Sequence, residues 1–235
     1  MFKKGDTVKI EITDISDQGQ GIGKADGMAV FVGGTVMGDK VTCELTKVKK
    51  RYAFGKLLSV DEPSEYRIEP MCRYSDQCGG CPLITTSYEG QLALKEKHVQ
   101  DRLMRLGGIS APQVNSIVGM DEGEEFYYRN KGTMPVSTGG NRMKKGGILE
   151  NLGDPAIGFY KNRSHQVVDC RECMIQSRAA MAAVDATRRF MEEDNISAWD
   201  DKWELGLMRH MIVRTAFETG EVMVTYIING KGIPN

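Results

Sequence analysis

Gln18-Gly19-Gln20-Gly21-Ile22-Gly23-Lys24 is the stretch on which the fold turns. Glycines at alternate positions can cradle a phosphate, but a dinucleotide loop must leave a strand and open a helix whose N-terminus meets the pyrophosphate. Here the chain passes from the alternating run Thr7-Val-Lys-Ile-Glu-Ile12, through the glycines, into a second such run, Gly27-Met-Ala-Val-Phe-Val32. The nucleotide reading therefore fails, and the glycines are read as tight turns in a small β structure. Asp39-Lys-Val-Thr-Cys-Glu-Leu45 and Ala53-Phe-Gly-Lys-Leu-Leu58 continue the pattern. Four or five short strands with no helix between them predict a closed barrel over residues 1–60.

Outward from the barrel, Asp61-Glu-Pro63-Ser-Glu-Tyr-Arg-Ile-Glu-Pro70 is acidic, holds two prolines and has no period, so 61–70 is read as a linker. Residues 71–235 then form a second domain. Thr86 with Glu89 reads as the capping box of a helix whose apolar face is Tyr88, Leu92, Val99, Leu103 and Leu106, and Gly107-Gly108 ends it. Lys131 to Ser137 and Ala156 to Tyr160 are read as strands, Gln176 to Glu193 as a second helix, and Met208 to Phe217 with Glu221 to Ile228 as a hairpin.

The chain has 235 residues and a formal charge of -1, with apolar and charged fractions ordinary for a globular protein. No apolar run reaches the roughly 18 residues needed to span a bilayer, and Met1-Phe-Lys-Lys-Gly5 leads straight into a strand pattern instead of a signal peptide. A cytoplasmic protein without a membrane partner is expected. The average charge hides local blocks. Between Phe126 and Leu149 lie Arg129, Lys131, Arg142, Lys144 and Lys145 and no acidic residue, and Lys47, Lys49, Lys50 and Arg51 form another cluster.

Cys72-Arg-Tyr-Ser-Asp-Gln-Cys78-Gly-Gly-Cys81 gathers three thiols in ten residues, and Cys170 and Cys173 are the other close pair. Three thiols do not close a four-coordinate site, so a fourth ligand must come from elsewhere. A disulfide framework is disfavoured by the absence of a secretion signal. Zinc knuckles pair cysteines two to four residues apart, whereas five residues separate Cys72 from Cys78. A [4Fe-4S] cluster suits four thiolates, and the glycines would let backbone N–H groups reach the sulfurs. Iron-sulfur, zinc and no metal all stay open on spacing alone. Cys43, isolated in a strand, is read as a small buried hydrophobe.

The sequence resembles a known family at several motifs. Gln18 to Lys24, Asp26-Gly-Met-Ala-Val-Phe31-Val and Gly38-Asp-Lys-Val41 resemble the TRAM domain, an RNA-binding barrel of the OB type. Cys72-x5-Cys78-Gly-Gly-Cys81 with Ser87-Tyr-Glu-x-Gln-Leu-x-x-Lys95 is similar to the iron-sulfur motif of the RNA (uracil-5-)-methyltransferases, which include 23S rRNA enzymes. Tyr128 to Lys131, Ile157 to Tyr160, Val167 to Ile175 and Gly206 to Arg214 continue the likeness, which covers nearly the whole chain. Met174, where the family often has proline, and Leu83-Ile84, where Leu-Gln is frequent, depart from it without removing a thiol.

The resemblance implies an α+β chain: an OB-type TRAM barrel, then a mixed α/β central domain carrying a [4Fe-4S] site on Cys72, Cys78, Cys81 and Cys173. It implies that the C-terminal Rossmann-like methyltransferase domain, with the catalytic cysteine, the base and the S-adenosylmethionine site, is absent, so no catalytic residue is assigned. The partner implied is RNA, ribosomal before transfer RNA, bound by a monomer, and not DNA. Lys24, Phe31, Lys47, Lys50, Arg51 and Tyr52 are candidate contacts on the barrel; Tyr128, Arg129, Lys131, Lys144, Lys145, Arg163 and Arg214 are candidates on the second domain. For Phe31 and Tyr128 the competing reading is core packing, and for the cationic clusters a solvated face. His210, beside Arg209 and an apolar run, suits a packed role as well as an RNA contact. The alternative function is a stand-alone RNA-binding module with a structural iron-sulfur or zinc site.

Overall fold

The computed structural model describes residues 2–138 and 155–233. It divides into two compact units, Met1–Met71 with Cys81–Gly119, and Cys72–Gly80 with Met120–Asn235.

The first unit is built on β1 (Thr7–Ile15), β2 (Gly21–Ala25), β3 (Met28–Val32), β4 (Lys40–Val48) and β5 (Tyr52–Glu62), closed into a barrel in the order β1-β2-β3-β5-β4. Neighbours are antiparallel except β3 and β5, which run parallel. Alternation along β1 turns Val8, Ile10 and Ile12 inward, where they meet Val30, Val32, Val41, Cys43 and Leu45. Cys43 is fully buried there, and burial pushes its thiol pKa up. The glycines do more than turn. Gly19 has φ +71°, but Gly21 and Gly23 lie inside β2 facing the core; a Cβ on Gly21 would stand 2.0 Å from Thr35 Oγ1, and one on Gly23 2.5 Å from the Glu11 carbonyl. They permit close strand packing.

The 61–70 stretch is structured, not a linker. β5 continues to Glu62, and Arg67 sends its guanidinium to the fully buried Asp39, with Nη2 at 2.6 Å and Nε at 3.0 Å. Asp39 also accepts the N–H of Val36 at 2.6 Å and of Ser64 at 2.9 Å. Burial alone would raise its pKa, but the Arg67 bond and the two N–H donors outweigh it and hold the carboxyl below its ordinary value.

Helix α1 (Tyr88–Arg105) also belongs to this unit. Its N-cap is Ser87, which accepts the Gly90 N–H at 3.2 Å; Thr86, one residue before the cap, is buried. The helix ends where expected, the Gly107 N–H bonding back to the Arg102 carbonyl. Its buried residues are Gly90 and Leu94; of the predicted apolar face Tyr88, Leu92 and Leu103 are half-buried, while Val99 and Leu106 are exposed, so that face packs only in part. Leu94 joins the barrel core, and Lys97 and His98 reach Asp14 at 3.1 and 3.3 Å.

The second unit contains β6 (Lys131–Ser137), β7 (Ala156–Tyr160), β8 (Val167–Asp169), α2 (Arg178–Glu193), β9 (Met208–Thr215) and β10 (Val222–Ile228). The sheet order is β10-β9-β6-β7-β8, and every pair is antiparallel, so the expected mixed α/β domain is an antiparallel sheet with a helix against it. Helix α2, capped by Ser177, buries Ala180, Val184 and Met191 against Met134, Ile157, Met208, Met211 and Val213. Its Arg188 is also buried, bonded to Asp169 at 2.6 Å and to the Pro155 carbonyl. Lys144 and Lys145 lie outside the described residues.

Candidate nucleic-acid interface

The outer surface of β2, β3 and β5 is where the barrel spends its aromatic residues. Because Val30, Val32 and Ala53 point inward, Phe31, Tyr52 and Phe54 must point outward. Register sets them in two rows: Lys24, Ala29 and Tyr52 lie opposite one another in turn, and Ile22, Phe31, Phe54 and Lys47 do so beside them. The rings touch. Phe31 and Phe54 centroids are 5.6 Å apart, Tyr52 and Phe54 5.6 Å at 88°, and Phe31 and Tyr52 6.0 Å at 87°. Tyr52 is 39% exposed, and the two phenylalanines are half-buried by each other. Exposed Lys24 stands at one end of the rows and exposed Lys47 at the other, with Lys50 and Arg51 exposed in the turn that leads into β5. The arrangement offers flat π faces for bases and cations for phosphates. Phe54 was missed in the sequence, although the Tyr52-Ala53-Phe54 alternation carries the signal.

On the second unit, Tyr128 is 46% exposed, and Arg129 is half-buried with its N–H bonded to the Ile175 carbonyl. Lys131 and Arg214 are both exposed and sit directly opposite each other across β6 and β9, over a surface cavity of about 750 Å³ that Glu221 and Met223 also line. Like charges so placed repel, and an anion between them would offset the repulsion. Arg163 (φ +55°) is exposed in the turn between β7 and β8. His210 is half-buried in β9; burial first, then the neighbouring Arg209, lowers its pKa.

None of the six cysteines is in a disulfide. Cys72, Cys78, Cys170 and Cys173 fall in the second unit, and Cys81 in the first. The two glycines after Cys78 do different things: Gly80 donates its N–H to the Cys78 sulfur at 3.4 Å, and Gly79 donates to the Tyr160 carbonyl at 3.0 Å. The Tyr74 hydroxyl accepts the Arg171 N–H at 3.1 Å, tying this loop to the Cys170–Cys173 segment. Cys170 is buried, while Cys173 is half-exposed. The neighbouring Cys170 thiol is the largest cause holding the Cys78 pKa down, to about 6, and Cys78 in turn pushes Cys170 up. The donor set is right for a thiolate-bound metal, but among the described residues no three His, Cys, Asp or Glu side chains converge on one metal-sized position.

The barrel matches the TRAM domain over residues 2–58. Beyond the TRAM barrel, the chain is 37% identical over 99% of its length to an uncharacterised RNA methyltransferase of Clostridium tetani, of which it covers 47%. A second RNA methyltransferase, from Caldanaerobacter subterraneus, is 37% identical over 99% of this chain and 48% of its own. Among solved structures, the Pyrococcus abyssi tRNA (uracil-54, C5)-methyltransferase in complex with S-adenosyl-L-homocysteine matches with a TM-score of 0.64 and 26% identity, over 97% of this chain and 47% of that one. The chain spans about half the length of the relatives it matches. These alignments correct one expectation: since RNA methyltransferases match this chain from end to end, the reading that its catalytic domain is absent is not supported.

Proposed function

We propose that the chain serves RNA uracil C5 methylation and that its TRAM barrel holds the RNA. The observation that carries this reading is the pair of outward rows, three touching aromatic rings with a lysine at each end. An open π surface edged by cations suits unpaired bases and their phosphates better than it suits an apolar partner protein. The likeness to RNA methyltransferases and to a uracil-C5 enzyme supports the same class. S-adenosylmethionine would supply an electrophilic methyl group; the residues named here bind and orient RNA, and none is assigned to the chemistry. Lys131 and Arg214 form a second phosphate site within this reading. The sequence resemblance favours 23S rRNA as the substrate, whereas the solved relative is a transfer RNA enzyme. Mapping 5-methyluridine by mass spectrometry in both RNAs, with and without the gene, separates them. Loss of one modified site supports the reading, and unchanged modification in both RNAs contradicts it.

The same proposal places a [4Fe-4S] cluster on Cys72, Cys78, Cys81 and Cys173, supported by the thiol spacing and by the Gly80 N–H already aimed at the Cys78 sulfur. Anaerobically purified protein should be brown and hold about four irons per chain. A colourless protein with one zinc would replace the cluster with the runner-up metal.

A further inference from the structure

We infer that the turn between β7 and β8, with Tyr160 at the end of β7, is a further RNA-contact element, and that the Cys78-Gly79 segment is the strut that holds it in place. The inference rests on the RNA reading above. The turn is compact: the Lys161 N–H bonds to the Gln166 carbonyl at 2.8 Å, the Ser164 N–H to the Lys161 carbonyl at 3.0 Å, and the Gln166 N–H to Ser164 Oγ at 2.9 Å. It presents Lys161, Arg163 and His165 to solvent, and no acidic residue occurs from Ala156 to Val168. Among the described residues neither Lys161 nor Arg163 is in an ion pair. The Tyr160 ring lies 5.5 Å from the His165 ring and remains 36% exposed. Together with Gly79 and Asn162 these residues line a cavity of about 550 Å³. Two exposed cations beside an exposed aromatic ring in a shallow cavity suit a single-stranded phosphodiester segment, with a base on the ring and phosphates on Lys161 and Arg163.

Gly79 connects this element to the cysteine loop. Cys78 pairs with Lys161 as an antiparallel bridge, and the Gly79 N–H bonds to the Tyr160 carbonyl at 3.0 Å. A Cβ on Gly79 would stand 3.0 Å from Asn162 Cα and 3.1 Å from both Asn162 N and the Tyr160 carbonyl. All three are backbone atoms that cannot swing aside. The first glycine of the cysteine motif is therefore there for the turn, and the second for the sulfur.

The test is fluorescence anisotropy of the whole chain with a labelled single-stranded RNA across a salt series. Arg163→Glu is expected to weaken binding about tenfold and to lower the salt slope by about 0.7, the value for one phosphate contact on a single strand. Arg189→Glu, the same charge change on the exposed side of α2, should match wild type. Gly79→Ala should weaken binding with its metal content unchanged. Equal losses in Arg163→Glu and Arg189→Glu would reduce the effect to overall charge and overturn the inference. Loss of affinity in Tyr52→Ala with Arg163→Glu unaffected would overturn it and leave the functional reading standing; a wild-type chain that binds no RNA overturns both.

Discussion

The two units treat buried polar groups in opposite ways. In the first, the fully buried Asp39 is met by Arg67, Val36 and Ser64, and its whole acceptor capacity is used. In the second, buried side-chain atoms of Glu125, Gln176, Arg188 and Arg209 have no hydrogen-bond partner among the described residues. Their outer surfaces differ as well. The closed barrel has no sheet edge, so its surface aromatics are a chosen feature, whereas the open sheet ends in β10 with Val222, Met223, Val224 and Ile227 exposed. The first unit is a self-satisfied scaffold that can carry a binding face, and the second leaves some buried polar atoms without a partner among the described residues.

The largest expected effect breaks the scaffold. Asp39→Ala strands the Arg67 guanidinium and should lower stability by about 3–5 kcal/mol, measured by chemical denaturation. The pH dependence has a definite sign. Because the folded pKa lies below the ordinary 3.8, the stabilising contribution is complete above that value and is lost as pH falls through the lowered one. A variant as stable as wild type at neutral pH would remove the central support of the first unit. Leu94→Ala comes next, at about 2–4 kcal/mol, and its loss should appear in the unfolding of the barrel unit, since Leu94 is the fully buried apolar contact of α1 with the barrel core. If amide exchange showed the barrel strands unaffected, α1 would not belong to that unit. Gly23→Ala should cost about 1–3 kcal/mol through the close approach to the Glu11 carbonyl. The smallest change has the opposite sign: Gln176→Leu should raise the melting point, by about 1 kcal/mol of stability, because it removes a buried amide that has no partner among the described residues. A fall would mean that the amide is satisfied in solution, and the contrast between the units would weaken.

The barrel was legible in the sequence because period-two alternation is local, and in β1 Val8, Ile10 and Ile12 turn into the core. Strands β6 and β7 and the β9–β10 hairpin were legible as short β-branched and aromatic runs bounded by turn residues, although β7 and β10 show no such alternation. What escaped depends on distant partners. Nothing local says that Arg67 answers an aspartate 28 residues earlier, so 61–70 read as a linker. Helix α1 displays a broad apolar pattern, yet fully buries only Gly90 and Leu94 of it, with an ion pair to Asp14 beside them. Strand β8 has three residues, too few for any period to show. In the site, the lysines and Tyr52 were visible as types, but Phe54 joined them only when the register was known.

The most direct test of the central claim is the RNA affinity of Tyr52→Ala, a change at an exposed ring that leaves the barrel core untouched. Loss of one base stack should cost about 1–3 kcal/mol, roughly 5- to 150-fold in Kd, with the salt slope unchanged because no phosphate contact is removed. Wild-type affinity in a correctly folded variant would contradict the claim that the aromatic rows are where the barrel holds RNA.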